Sequence, residues 1–542
     1  MSLLERLLIW VSYLRRPSEL FTKDVRTFIV VSSVGLAQGL NFSCDVAFSY
    51  VYRDDYLLSP SKASFFDSSN QVPWMIKPVW GALSDSVYLF GYKRKSYLVI
   101  MALICWITML CFGVAVPHWI AGFFILFLMN ISLSFMNCIA EAVLVETAQD
   151  VSRRENINEQ EKIKAASKGV STFFGAKYTG RVLGAICLIL FLDESRRRHY
   201  LLGASFIPLA VFILSFLLPE VPRKSDTKRL VNRPGIELQD VDRESDSTSR
   251  NQNQDNNSND EFRGQNLKKT FNFVKNPLIY KSIFLLLVCN FIPQSPQTKF
   301  YYYTLELGFK SEFIGALKLI TYIAVLLAIL IYNRYLRNID FRFFYTGTAL
   351  LGCVLTLSQL ILIFRLNHSL GIRDEVFAVF DTFVLEMVLE FNTLPMLVLA
   401  CRLCPKDIEA TIFALFMSVG NTGYIMSLQV GGLLTYLLKI TSANFDNLWL
   451  LTVITAMFYL IPLTVLWTFK FESAIQHVEE SEVIPNPEGG TNSEPSGSGG
   501  RTSEDDEQHA GDSSKNNSSQ LQTIKQQLYN ELALDEHLHV YS

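Results

Sequence analysis

The residues best placed to do chemistry are charges inside otherwise apolar runs. The carboxylates are Asp45, Glu141, Glu386 and Glu390. The cations are Lys77, Lys177, Arg181, Lys299 and Lys318. A charge in a bilayer interior costs at least ~2.5 kcal/mol, so it faces a bundle interior or a cavity. Buried cations in this number suit an anionic solute. A carboxylate whose proton affinity is raised by burial can carry a coupling proton, which makes Asp45, Glu141 and Glu386 candidates. No histidine lies mid-span, which disfavours a histidine relay. Trp74, Phe300 and Tyr301 lie near these charges and could stack on a flat heteroaromatic solute.

Helices must position these groups. Gln38, Asn41, Asp45 and Ser49 recur at helical spacing, as do Asn130, Ser134, Asn137 and Glu141. Asn290, Gln294, Gln297 and Tyr301 form a third such stripe, and Glu386 and Glu390 lie one turn apart. At 100° per residue the stripes stay within about 60–80° of arc. Single polar residues in such helices usually bond neighbouring helices. Three stripes in register instead suggest one central water-filled cavity.

The spans fall at about 28–52, 62–87, 96–116, 118–145, 169–192, 199–218, 278–303, 311–332, 343–364, 376–400, 409–438 and 447–469. The chain has 542 residues, half of them apolar, 13% aromatic and only 18% charged. Two polar stretches, 219–277 and 471–542, account for much of that charge. The remainder divides into runs of the ~20 residues that a spanning helix needs. A water-soluble enzyme is excluded. So is a β-barrel, because short alternating segments are absent. The expected fold is an all-α membrane protein with twelve transmembrane helices in two six-helix halves. Its divisions are a cytosolic segment 1–27, an N-terminal half 28–218, a disordered central loop 219–277, a C-terminal half 278–470 and an acidic, largely disordered tail 471–542. The third, sixth, ninth and twelfth spans carry no Asp, Glu, Lys or Arg. In a two-half layout every third helix is peripheral, so the charge census agrees with that layout.

Lys and Arg are concentrated in alternate links, which places both termini in the cytosol. The outer-side run Arg196-Arg197-Arg198 is the exception. It is either an anion-attracting patch or a slip in the span count. No nucleotide-cradling Gly-rich loop is present, so work must come from a gradient. No cofactor, metal or nucleic acid is expected, and the chain is read as a monomer in a lipid bilayer. Cys401-x-x-Cys404 has no second pair or nearby histidine and is read as packing. Asn367-His-Ser369 is a glycosylation pattern in a link expected to lie too close to the bilayer for modification.

One segment is more specific. It reads Pro73-Trp74-Met75-Ile76-Lys77-Pro78-Val79-Trp80-Gly81-Ala82-Leu83-Ser84-Asp85, then Lys93-Arg94-Lys95. Gly81 would permit close helix approach, and Asp85 can pair with the basic turn as a charge latch. This stretch resembles the folate–biopterin transporter family, a branch related to the major facilitators. Further likenesses are Lys299-Phe300-Tyr301-Tyr302 with Glu306-Leu307-Gly308-Phe309, Glu141-Ala142, and Cys401-Arg402-Leu403-Cys404-Pro405 with Glu409-Ala410-Thr411. The resemblance covers about 28–470. It implies carriage of folate, biopterin or related pterins, with protons as coupling ion. It also implies the latch Asp85–Arg94 and its second-half counterpart Arg402–Glu409. The cavity candidates remain Asp45, Lys77, Glu141, Lys177, Arg181, Lys299, Glu386 and Glu390. Other readings are a carrier of S-adenosylmethionine or an amino-acid derivative, and a non-transporting receptor or scaffold that uses the acidic tail.

Overall fold

The computed structural model describes residues 25–114, 116–155, 159–193, 196–220, 275, 277–336, 339, 341–402 and 409–468. The N-terminal segment, most of the central polar stretch and the acidic tail lie outside the described residues. Within them the chain is helical, and β-pairing is limited to the isolated bridges Leu89–Tyr92 and Thr441–Asn444. Seven helices are long and apolar enough to cross a membrane: Val25–Asp55, Lys95–Val114, Trp119–Leu144, Arg197–Ser215, Ser311–Leu336, Arg342–Ile363 and Leu448–Thr468.

The N-terminal set runs α1 (Val25–Tyr50), α2 (Pro60–Asn70), α3 (Lys77–Ser86), α4 (Lys95–Val114), α5 (Trp119–Glu155), α6 (Glu159–Phe191), α7 (Arg197–Ala204) and α8 (Phe206–Ser215). The C-terminal set runs α9 (Pro277–Asn290), α10 (Pro296–Tyr301), α11 (Ser311–Ile331), α12 (Phe341–Ile363), α13 (Leu366–Ser369), α14 (Asp374–Arg402), α15 (Glu409–Leu437), α16 (Leu448–Phe458) and α17 (Ile461–Thr468). Expected spans are interrupted by turns at Ser205 and at Tyr459–Leu460, and two more breaks fall at prolines. Between α2 and α3 the chain tightens into a short 3₁₀ turn, Val72–Trp74. Between α9 and α10 it leaves the helix at Phe291–Ser295. Pro73 and Pro293 lack the N–H that a helix interior needs, which accounts for both breaks.

The two sets repeat one turn. α1 ends in a π-helical turn, Val51–Asp55, and α10 ends in another, Tyr302–Glu306. The Tyr56 and Leu58 amides donate to the Val51 and Tyr52 carbonyls at 3.0 and 2.9 Å. The Leu307 and Phe309 amides do the same to Tyr302 and Tyr303 at 3.1 and 2.9 Å. Both turns pass through a left-handed residue, Leu57 (φ 50°) and Gly308 (φ 68°). The next helices then start in register, at Pro60 and Ser311. Only the second copy has glycine at the position whose conformation favours it.

The sets meet along two related contacts. Gly315 on α11 packs against Leu188 and Ile189 on α6, and the Ser311 hydroxyl donates to the Leu192 carbonyl at 3.1 Å. Gly432 on α15 packs against Ser64 on α2. At the same end, the Tyr301 hydroxyl donates to the Leu58 carbonyl at 2.8 Å. Phe300 stands edge-on to Tyr50 at 4.9 Å, and the Arg53 guanidinium lies over both rings. This end of the bundle is closed across the two sets.

Within a set, helices approach through glycine. A Cβ on Gly39 would overlap the Lys177 carbonyl, and one on Gly431 would overlap the Gln294 carbonyl. Gly81 is different. The nearest atom to a Cβ there is Cys138 Sγ at 3.5 Å, an ordinary contact, so the close approach expected at Gly81 is not what the structure has.

Arg197 and Arg198 are structural partners of α1. Arg198 Nε donates to Asp55 at 2.5 Å, Arg197 pairs with both Asp54 and Asp55, and Arg198 also donates to the Phe112 carbonyl. Two of the three arginines of the basic run are thus engaged within the fold. Asn367 is fully buried and donates to Asp374 at 2.7 Å and to the Ile372 carbonyl, so its amide is engaged within the fold.

Candidate functional site

The charged candidates converge from helices of both sets. Asp45 on α1 is exposed although Cys44 and Val46 beside it are buried. It lies in the electrostatic field of Asp67 on α2, Arg181 on α6 and Lys318 on α11. An exposed group enclosed by three other helices lines an internal opening. Lys318 also faces Asp67 and Glu386. Lys299 on α10 faces Asp381 and Glu386 on α14. Glu390, one turn beyond Glu386, is 1% exposed, and neither carboxylate oxygen has a hydrogen-bond partner. It lies in the fields of Arg181 and Glu386.

Arg181 is buried against aromatic faces. Its guanidinium lies 4.2 Å from the Phe42 ring centroid, 5.0 Å from Tyr178 and 5.8 Å from Tyr322. Such faces attract a cation while excluding water. Lys177, one turn away on α6, is fully buried and shares the field of Arg181. Tyr322 and Tyr424 lie in the fields of Asp45, Glu386 and Arg181 and bring aromatic surface to the same place.

Lys77 and Glu141 are brought together, but with each other. Lys77 Nζ donates to Glu141 Oε1 at 2.9 Å. The aromatic candidates are enclosed in packing. The Trp74 indole donates to Asn130 at 3.3 Å, its carbonyl accepts from Asn421, and Phe300 and Tyr301 fill the closed end. The polar stripes therefore divide. Asn137 donates to Gln38 at 3.0 Å, a bond between α5 and α1. With Asn130 on Trp74, these residues hold helices together. Asp45 opens inward.

The latch is wider than the pair read from the sequence. Arg94 donates to Asp85 at 2.6 Å and to Glu146 at 2.9 Å, and it also bonds Ser84. Lys93 joins Glu146 at 2.6 Å. Burial alone would raise the Glu146 carboxyl, but hydrogen bonds and charge from Arg94 and Lys93 hold it below the ordinary carboxylate range. Glu220, at the end of the N-terminal set, accepts from the backbone amides of Lys93, Arg94 and Lys95 at 2.5, 3.1 and 2.7 Å. A carboxylate there satisfies the open amides that start α4. The side chains of Arg402 and Glu409, and Cys404, lie outside the described residues.

Sequence reasoning left out Asp67, Glu220, Tyr322 and Tyr424. Asp67 had a signal that could have found it. The register that matches the two π-turns places it opposite Lys318, at equivalent points of α2 and α11.

The BT1 family profile matches residues 35–488. The chain belongs to the BT1 family. This BT1 chain is 29% identical over 435 residues to a folate-biopterin transporter of Synechocystis sp., covering 80% of each chain. It is 27% identical to folate transporter 1 of Plasmodium falciparum, covering 83% of this chain and 81% of that one. It is 28% identical to a probable folate-biopterin transporter 2 of Arabidopsis thaliana, covering 86% and 89%. Among solved structures it resembles the nucleoside transporter NupG, with a TM-score of 0.56 and 12% identity over 82% of this chain and 100% of that one. A D-xylose-proton symporter gives 0.55 and 12% over 82% and 97%. The fold is thus that of major facilitator transporters. The protein is an integral membrane transporter and not an enzyme.

Proposed function

We propose that this BT1 transporter moves folate or related pterins across a membrane by alternating access, coupled to protons. The observation that carries the reading is the mid-bundle meeting of Asp45, Arg181, Lys318, Glu386 and Glu390 from both sets. Relatives named for folate and biopterin supply the solute class. Folate is an anion with a flat ring. Arg181, Lys177 and Lys318 suit its carboxylates, and Tyr322 and Tyr424 suit the ring.

In this reading twelve spans form two six-helix halves, both termini are cytosolic, and the transporter works as a monomer. A central loop and an acidic tail flank the second half. The closed end at Tyr301–Leu58 and Ser311–Leu192 is then the external gate, and the Asp85–Arg94–Glu146 latch lies on the cytosolic side. Glu390, Glu386 and Asp45 are the proton carriers. An enclosed carboxylate without donors, as Glu390 is, is costly to leave charged, so its protonation and the approach of a solute can be linked. The test is saturable uptake of labelled folate in cells lacking their own folate carrier, at about pH 5.5 and about pH 7.5. Uptake that rises at acid pH and collapses with a protonophore supports the reading. Expressed protein without uptake refutes it for folate.

A further inference from the structure

We propose that Asp67, Gln297 and Lys318 form the subsite that reads the hydrogen-bonding edge of the pterin ring. The proposal rests on the pterin-transport reading and assigns one part of the solute to named atoms.

The three residues come from three helices and both sets. Asp67 lies on α2, Gln297 on α10 and Lys318 on α11. The Gln297 side chain lies beside the Asp67 carboxylate. Its Oε1 has no partner, although the residue is only 6% exposed. An enclosed acceptor without a donor is unusual in a native structure and calls for a missing partner. Asp67 has acceptor capacity to offer, because a carboxylate has about four lone-pair sites. Lys318 faces Asp45, Asp67 and Glu386, yet among the described residues it closes no ion pair at contact distance. The local pattern is therefore two acceptors beside a donor.

A 2-amino-4-oxopyrimidine ring presents the complement. Its 2-amino group and ring N–H are adjacent donors, and its 4-oxo group is an acceptor. The two donors would bond Asp67 and Gln297 Oε1, and the 4-oxo group would accept from Lys318. Lumazine, with a second oxo group in place of the 2-amino group, sets an acceptor against those acceptors. Tyr424 lies in the field of Asp67 and supplies a neighbouring aromatic face.

The experiment is displacement of labelled folate from the purified, full-length transporter by pterin, lumazine and guanine, which needs no turnover. In the wild type pterin should displace folate about tenfold or more better than lumazine, because a site built to bond a group rejects the analogue that lacks it. Asp67→Asn should bring that ratio near unity, since the amide can donate to the 2-oxo group. Asp67→Glu should keep the preference. Gln297→Leu, which removes the orphan acceptor together with the amide beside Asp67, should lower the ratio by a smaller factor in the same direction. An unchanged ratio in both Asp67→Asn and Gln297→Leu would overturn the proposal. So would competition by guanine, which carries the same amino, ring N–H and oxo edge, that is unaffected by Asp67→Asn. A wild type that binds no folate would instead refute the transport reading on which the proposal stands.

Discussion

Lys77 and Glu141 form an ion pair of 2.9 Å between α3 and α5, and both side chains are mostly enclosed. Two residues with the character of solute contacts thus neutralise one another in this state. Removing either partner should lower the thermal stability of the purified transporter by about 1.5–3 kcal/mol, the range for hydrogen bonds to charged groups. Lys77→Ala with Glu141→Ala should cost less than the sum of the single changes, because neither leaves an uncompensated charge. Additive losses in a double-mutant cycle would show that the two act independently.

The glycine contacts separate two positions that look alike in sequence. Gly39→Ala should destabilise by about 1–3 kcal/mol, because its methyl would meet the backbone of α6. Gly81→Ala should stay within about 0.5 kcal/mol, since its methyl has room beside Cys138. Melting of the two purified variants decides this. The reverse order would contradict the helix packing described above.

The latch predicts a particular acid limb. Glu146 is held below its ordinary value of about 4.5, so its contribution is present above that value and lost as pH falls through the lowered one. Glu146→Gln should therefore flatten the loss of stability on acidification below about pH 4.5, while Asp85→Asn should slow transport more than it weakens folate binding. Binding and uptake measured side by side check the second point. An Asp85→Asn protein with wild-type uptake would show that the latch is not part of the cycle.

Much of this arrangement is legible in the chain because bilayers restrict where charge can go. Asp45, Lys177, Arg181, Lys299, Glu386 and Glu390 stand out as ionisable residues in apolar runs, and the structure gathers them. The family resemblance was likewise readable from the Pro73–Asp85 segment, and the profile match bears it out. Asp67 was obscured by its surroundings, since Asp67-Ser-Ser-Asn70 reads as a polar helix end and α2 carries little amphipathic pattern. Partnering is less legible than placement. Sequence allows Lys77 to pair with any of several carboxylates without singling out Glu141, and gives no sign that Trp74 would be spent on Asn130. Glu220 opens a polar stretch and looks like loop, yet it caps α4 from the far end of the set.

Glu390 offers the sharpest view of coupling. It is enclosed, and both of its oxygens lack hydrogen-bond donors. Glu390→Gln should leave folate exchange between the two sides intact while abolishing accumulation against a gradient. A variant that still concentrates folate when acidified outside would remove Glu390 from the proton path.

Proton movement is proposed to drive a pterin through this bundle. It is tested most directly by reconstituting the full chain in sealed vesicles, imposing an inward proton gradient and following labelled folate. Transient accumulation above the external level, vanishing when the gradient is collapsed, is the expected result. Folate that only equilibrates, at the same rate with and without the gradient, would contradict it.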